Sequence, residues 1–196
     1  MAAAANYGWA NRQLLMHRAV ESIQRSLGIS ATELKARLVY DIGHNIAKRE
    51  THTVQGRERE LWVHRKGATR AFAPHRPEVP AAYRPVGHPV LIPGDMGTAS
   101  YVLVGTEQAM NETFGSSCHG AGRRLSRKKA KVRARGRNIA AEMLDRGVHV
   151  MARGRHTLDE EMPEAYKDVD EVVEVVHRAG LARKVARMRP AGVVKG

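Results

Sequence analysis

Five prolines fall between residues 73 and 89, at Pro74, Pro77, Pro80, Pro85 and Pro89. Proline fixes φ and lacks an amide hydrogen, so this stretch can be neither a helix interior nor a central strand. It reads as an ordered connector or loop. The strands and helices around it mix without regular βαβ alternation, and the expected fold class is α+β in one domain.

Before the connector, residues 2–27 read as one helix. Trp9, Met16, Val20, Ile23 and Leu27 recur at helical spacing, and Gly28 is placed to stop the helix. Ser30 and Glu33 have capping-box spacing for a short second helix over Ala31 to Arg37. Leu38–Ile42 is strand-like and ends at Gly43-His44-Asn45. A hairpin is expected next, with Asn45–Val54 outward, Gln55-Gly56 at the turn and Arg59–Val63 returning. His64-Arg65-Lys66-Gly67-Ala68-Thr69-Arg70 then reads as a basic loop, and a solvated turn is favoured over a phosphate contact.

After the connector, Pro89–Pro93 and Tyr101–Val104 are short strand candidates around a glycine-bearing loop, Gly94–Ser100. No Gly-Lys-Ser/Thr follows, so this is not a Walker loop. Residues 138–151 read as a mixed helix-to-strand segment. An acid-rich block from Asp159 to Glu174 carries Tyr166, Val169, Val173 and Val176 at helical spacing, with Gly180 as its cap, and its carboxylates read as a solvated face rather than a metal site. The last residues, including Lys195, read as a frayed tail.

The net charge of +13 over 196 residues favours an anionic partner, with nucleic acid first and a phosphate-rich small molecule second. Nine cations between Arg123 and Arg137 are interrupted by no acid, which favours a polyanion contact over a purely solvated face. No aromatic residue lies among them, so backbone and end recognition fit better than base stacking. The single cysteine, Cys118, excludes an intrachain disulfide and a Cys-based zinc site, and fits a reducing, cytoplasmic compartment. No apolar run approaches a membrane span, so no membrane partner is expected.

The most chemically suggestive stretch is Ser116-Ser117-Cys118-His119-Gly120-Ala121-Gly122-Arg123-Arg124. Glycines let backbone N–H groups approach a phosphate, arginines neutralise it, and a histidine beside them could be a ligand, an acid–base group or a nucleophile. Taken alone, an ordinary turn with a structural histidine is the better reading.

Four motifs in order change that balance: Tyr40-Asp41-Ile42-Gly43-His44-Asn45-Ile46-Ala47, His64–Arg70, Pro93-Gly94-Asp95-Met96-Gly97 and His119-Gly120-Ala121-Gly122-Arg123. Together with the closing Gly192-Val193-Val194-Lys195-Gly196 they resemble the RtcB family of RNA ligases along essentially the whole chain. The resemblance implies an enzyme of tRNA splicing or RNA repair that uses GTP and Mn2+. It implies joining of an RNA 3′-phosphate or 2′,3′-cyclic phosphate end to a 5′-hydroxyl end, with mixed sheets and flanking helices as the fold. His119 matches the histidine that becomes covalently guanylylated. His44 matches a manganese ligand and, with Asn45, lines the guanylate site. Pro93, Gly94, Asp95 and Met96 match the nucleotide loop, Ser100 a further nucleotide contact, and Gly120, Ala121 and Gly122 the phosphate-side turn. Tyr166 matches a residue near the guanine and Lys195 a guanine-contacting lysine. Arg123 faces the RNA phosphate or the transferring group, and Arg124, Arg127, Lys128 and Lys129 extend the RNA-binding set.

The family's chain is longer, and the resemblance covers its C-terminal, guanylate-binding part. Segments bearing the other manganese ligands have no counterpart here, so the expectation is an incomplete domain in which His44 alone remains of the metal set. The runner-up reading is a basic RNA-binding remnant without catalysis. Retention of His119 and Lys195 speaks for the ligase, and the missing ligands speak for the remnant. A histidine phosphocarrier explains His119 but neither the basic run nor His44. An archease-like activator is left open as a further partner.

Overall fold

The first 26 helical residues follow the apolar spacing closely. In the computed structural model, which describes residues 1–152 and 154–194 with backbone alone at Arg155 and His156, α1 runs Ala2–Leu27. Gly28 ends it in the left-handed region at φ 66°, its N–H returning to the Gln24 carbonyl. The apolar stripe is not a core: α1 has no buried residue, and Trp9 and Leu27 keep 48% and 62% of their surface exposed. Arg12 ties the helix to Asp41 through two bonds of 2.6 and 3.1 Å.

The capping box at Ser30 and Glu33 forms in both directions, but α2 spans only Ala31–Leu34 because Lys35 turns left-handed at φ 50°. The helix therefore stops short of Arg37. Leu38–Ile42 joins no sheet. Its β-branched and aromatic residues suit a strand, but strand propensity is realised only against a neighbouring strand.

The chain forms two compact units, Met1–Thr69 with the residues from Ala191 onward, and Arg70–Pro190. The first is built on a hairpin of β1 (Asn45–Val54) and β2 (Arg57–Lys66), in register from Asn45↔Lys66 to Val54↔Arg57. Gln55 and Gly56 both take positive φ, 51° and 73°, as a two-residue hairpin turn requires. The return strand is longer than the sequence suggests and absorbs half of the expected basic loop. Period two explains this: Glu50, His52 and Arg65 share the buried face, while Arg49, Trp62 and His64 face outward. On the buried face Arg65 grips both oxygens of Glu50 at 2.8 Å each, and His52 Nε2 lies 3.0 Å from Glu50 Oε2. Arg65 is thus a buried structural cation rather than part of a solvated turn. A short strand, β3 (Ala68–Arg70), runs across the junction of the units.

In the second unit the proline stretch forms loops and one 3₁₀ turn, Ala81–Tyr83. Then come β4 (Pro89–Ile92), β5 (Ser100–Gly105), α3 (Glu107–Thr113), β6 (Ser116–Cys118), α4 (Arg127–Arg133), α5 (Ile139–Asp145), α6 (Arg155–Glu160), a 3₁₀ turn at Pro163–Ala165, α7 (Val169–Arg178) and β7 (Ala182–Met188). Strands β4, β5 and β7 make an antiparallel sheet in that order. Val90, Ile92 and Leu103 on the sheet pack against Val169, Val173 and Val176 of α7. A second core gathers Ala130, Ala134, Ile139, Met143, Met162 and Ala165 beneath α4 and α5. The mixed α+β class holds, with small antiparallel sheets and flanking helices. Residues 146–151 add no strand, and Tyr166 precedes α7 instead of lying on it. Basic β7, an edge strand exposed beyond Ala182, had no alternation to announce it.

Candidate functional site

Strand β6 delivers His119. Thr113 Oγ1 donates to the Ser116 carbonyl at 2.7 Å and accepts from Ser116 N–H at 3.2 Å, and Ala71 N–H holds the Gly115 carbonyl at 2.7 Å. His119 is half-buried at the strand's end. The turn behind it is laced to a distant segment: Lys167 N–H donates to Gly122 O at 3.0 Å, while Arg124 and Leu125 N–H both donate to Ala165 O at 2.8 and 3.1 Å. Gly122 takes φ 78°, a conformation side chains disfavour. Burial pushes the neighbouring Cys118 thiol up, opposed in part by the Gly120 N–H. The thiol therefore stays protonated near neutrality.

The loop from Pro93 to Ser100 is closed on itself. Ser100 Oγ accepts from Gly94 N–H at 3.3 Å, Thr98 Oγ1 from Asp95 N–H at 3.1 Å, and Asp95 Oδ1 from Gly97 N–H at 2.7 Å. Ser100 thus pins the loop from within. A Cβ on Gly94 would strike the Ala99 carbonyl and Thr98 Oγ1, so the close approach requires glycine. Packing brings the pieces together. Ala99, Ala121 and Cys118 share the main core, and Met96 and Tyr166 lie against the second core. The His119 turn is bridged to the Tyr166 segment through Gly122–Lys167 and Arg123↔Tyr166, and the Pro93–Ser100 loop reaches both cores, through Ala99 and Met96.

Arg123 is the keystone of that bridge. Its Nε donates to Leu125 O at 3.0 Å, and its Nη1 donates to Glu161 Oε1 at 3.2 Å and to Tyr166 Oη at 3.0 Å. Its Nη2 donates to the Glu160 carbonyl, and Tyr166 donates to Glu161 Oε2. Burial first, and then the bond to Glu161, push the Tyr166 phenol up to about 12.

The rest of the basic run is sorted by acids that the sequence reading left solvated. Arg127 and Lys131 both pair with Glu160, whose carboxyl the Lys131 bond holds below its ordinary range. Arg137 reaches Glu142 and Glu164, each at 2.9 Å from one of its nitrogens. Lys128 and Lys129 are exposed, as is Arg124.

In the first unit, His44 is exposed at the corner before β1, where its carbonyl accepts from Gly67 N–H at 3.0 Å. Thr69 Oγ1 donates to the Gly43 carbonyl at 3.3 Å. Asn45 opens β1 opposite Lys66. Among the described residues no three His, Cys, Asp or Glu side chains gather as a metal site. Lys195 lies outside the described residues. No helix of the described chain is long and apolar enough to cross a membrane.

Comparison with known proteins then decides the family. The family described as tRNA-splicing ligase RtcB matches residues 1–196. The chain belongs to the RtcB family. It is 57% identical over 196 residues to the tRNA-splicing ligase RtcB of Archaeoglobus fulgidus, and equally so to that of Thermococcus kodakarensis, covering all of this chain and 41% of each relative. The RtcB of Methanocaldococcus jannaschii is 52% identical over the same span, which is 20% of its length. This RtcB-family chain thus spans about two fifths, or less, of these relatives.

Within the RtcB-family chain, the residues that sequence reasoning missed are Glu160 and Glu161. The signal available was charge balance, since an acid-rich block follows an acid-free basic run, but nothing local pairs residues 38 apart such as Arg123 and Glu161.

Proposed function

We propose that this chain is the guanylate-binding, C-terminal part of a GTP- and Mn2+-dependent RNA ligase. The ligase joins RNA 3′-phosphate or 2′,3′-cyclic phosphate ends to 5′-hydroxyl ends in tRNA splicing or RNA repair. The observation that carries the reading is the bridge between the His119 turn and the Tyr166 segment, with the Pro93–Ser100 loop packed on both adjoining cores, in a chain 57% identical to proteins named tRNA-splicing ligase RtcB.

In this reading a neutral His119 nitrogen attacks the α-phosphorus of GTP, a P–N bond forms and pyrophosphate leaves. The RNA 3′-phosphate then takes the guanylyl group and frees the imidazole. The 5′-hydroxyl attacks the activated 3′-phosphorus, giving the phosphodiester and releasing GMP. Gly120, Ala121 and Gly122 shape the phosphate-side turn. Pro93, Gly94, Asp95, Met96 and Ser100 border the nucleotide, Tyr166 and Lys195 its guanine, and Arg123, Arg124, Arg127, Lys128 and Lys129 the RNA. His44 and Asn45 belong to the same expected set, His44 as the manganese ligand. The described residues gather no metal-type set of three, so they do not fit a complete manganese site. An archease-like activator and a cytoplasmic location belong to the same proposal.

The test is intact-mass measurement after incubation with GTP and Mn2+, for wild type and His119→Ala, with and without the remainder of an RtcB chain supplied separately. A GMP-sized gain confined to the wild type supports the ligase. Its absence even in the supplemented sample overturns it in favour of the RNA-binding remnant, which the single expected metal ligand favours.

A further inference from the structure

The nine cations from Arg123 to Arg137 are one block in sequence but two sets in space. Glu142, Glu160, Glu161 and Glu164 take up Arg123, Arg127, Lys131 and Arg137. Arg124, Lys128, Lys129, Arg133 and Arg135 are exposed and form no ion pair among the described residues. Helical geometry makes the division: Ala130 and Ala134 face the second core, Arg127 and Lys131 one turn apart flank that side towards Glu160, and Lys128, Lys129 and Arg133 project from the other side. The acidic partners thus cancel charge on the side towards Glu160 and leave Arg124, Lys128, Lys129, Arg133 and Arg135 facing solvent along and beside α4.

We propose that Lys128, Lys129 and Arg133, with Arg124 and Arg135 at its ends, form a track for the sugar-phosphate backbone of the RNA next to the end being joined. The inference rests on the ligase reading and adds which cations hold the strand away from the reacting phosphate. Charge complementarity selects a polyanion. The absence of any aromatic residue from Arg123 to Arg137 selects backbone contact without base stacking. Position selects the RNA of the ligation reaction, because the strip begins at Arg124, five residues along the chain from His119. Arg123, Arg127 and Lys131, held by carboxylates, contribute less net charge to this track.

The experiment measures binding of a single-stranded RNA ending in a 3′-phosphate across a series of KCl concentrations. It compares the wild-type chain, Lys128→Ala/Lys129→Ala/Arg133→Ala, and a charge-matched control, Arg57→Ala/Arg59→Ala/Arg183→Ala, which alters exposed cations elsewhere. Each phosphate contact to a single strand contributes about 0.7 to the slope of log affinity against log salt. The track triple should therefore lose about 2 from that slope, equally for RNAs of different sequence, with the control close to wild type. Equal losses in both triples reduce the effect to net charge and overturn the track. So does a loss confined to particular sequences, or one that falls on polyglutamate and spares RNA. Circular dichroism and melting temperature show that each triple is folded. Labelling of the wild type by GTP is read separately, so failure of the ligase reading is distinguishable from failure of the track.

Discussion

The Arg123 guanidinium lies over the Tyr166 ring, 4.8 Å from its centroid, and donates to the phenol oxygen at 3.0 Å. The arginine that directly follows Gly122 is thereby stacked on the residue expected at the guanine. The Glu161 carboxylate accepts from both side chains and so sets their spacing.

A pH dependence follows. The Tyr166 phenol is pushed up to about 12, by burial first and Glu161 second, with Arg123 pulling the other way. Folding favours the neutral phenol, so its contribution to stability is whole below about pH 10, the unfolded value. It is lost as pH rises through about 12. Phenolate absorbance of wild type minus Tyr166→Phe should show a late titration, and Glu161→Gln should move it towards 10. A Tyr166 titrating near 10 in the wild type would refute the arrangement.

The Arg65–Glu50 pair of the first unit is buried, with both side chains 1% exposed. Glu50→Ala removes the bidentate acceptor from a buried guanidinium and is expected to cost about 3–5 kcal/mol. The double variant Glu50→Leu/Arg65→Met should recover most of that, since apolar replacement of a buried pair is often neutral. Urea denaturation of the two single variants and the double measures the coupling. Strict additivity would mean that the pair is not coupled in the fold.

Two glycines of the candidate site should respond differently. Gly94→Ala forces a Cβ against a backbone carbonyl, which cannot swing aside, and about 1–3 kcal/mol is expected to be lost. For a chain of this size that is roughly 2–4 °C of Tm per kcal/mol. Gly120→Ala meets nothing within 4 Å and should leave Tm close to wild type. Differential scanning calorimetry of both variants decides, and equal Tm values would refute the described loop.

Elements with a local period were legible. The helix Ala2–Leu27, its Gly28 stop, the hairpin turn at Gln55-Gly56 and the strands around Pro93–Ser100 follow from residues within a few positions of one another. Leu38–Ile42 was read as a strand and forms none, while Ala182–Met188 gave no signal and forms one, for the same reason. The first has strand propensity but no strand to pair with, and the second lacks alternation but finds the edge of β5. Pairing, not propensity, makes a strand.

The sequence by itself determined the family motifs, the positions of His44 and His119 within them and the excess of positive charge, because these are properties of residue order. Only the tertiary structure decided where that charge resides. Glu160 and Glu161 reach back across more than thirty residues to Arg127 and Arg123, and Glu50 is buried against Arg65 across a hairpin. Ion pairing depends on distance in space, which no local pattern carries, so the same nine cations read as one run in sequence and as two sets in the folded chain.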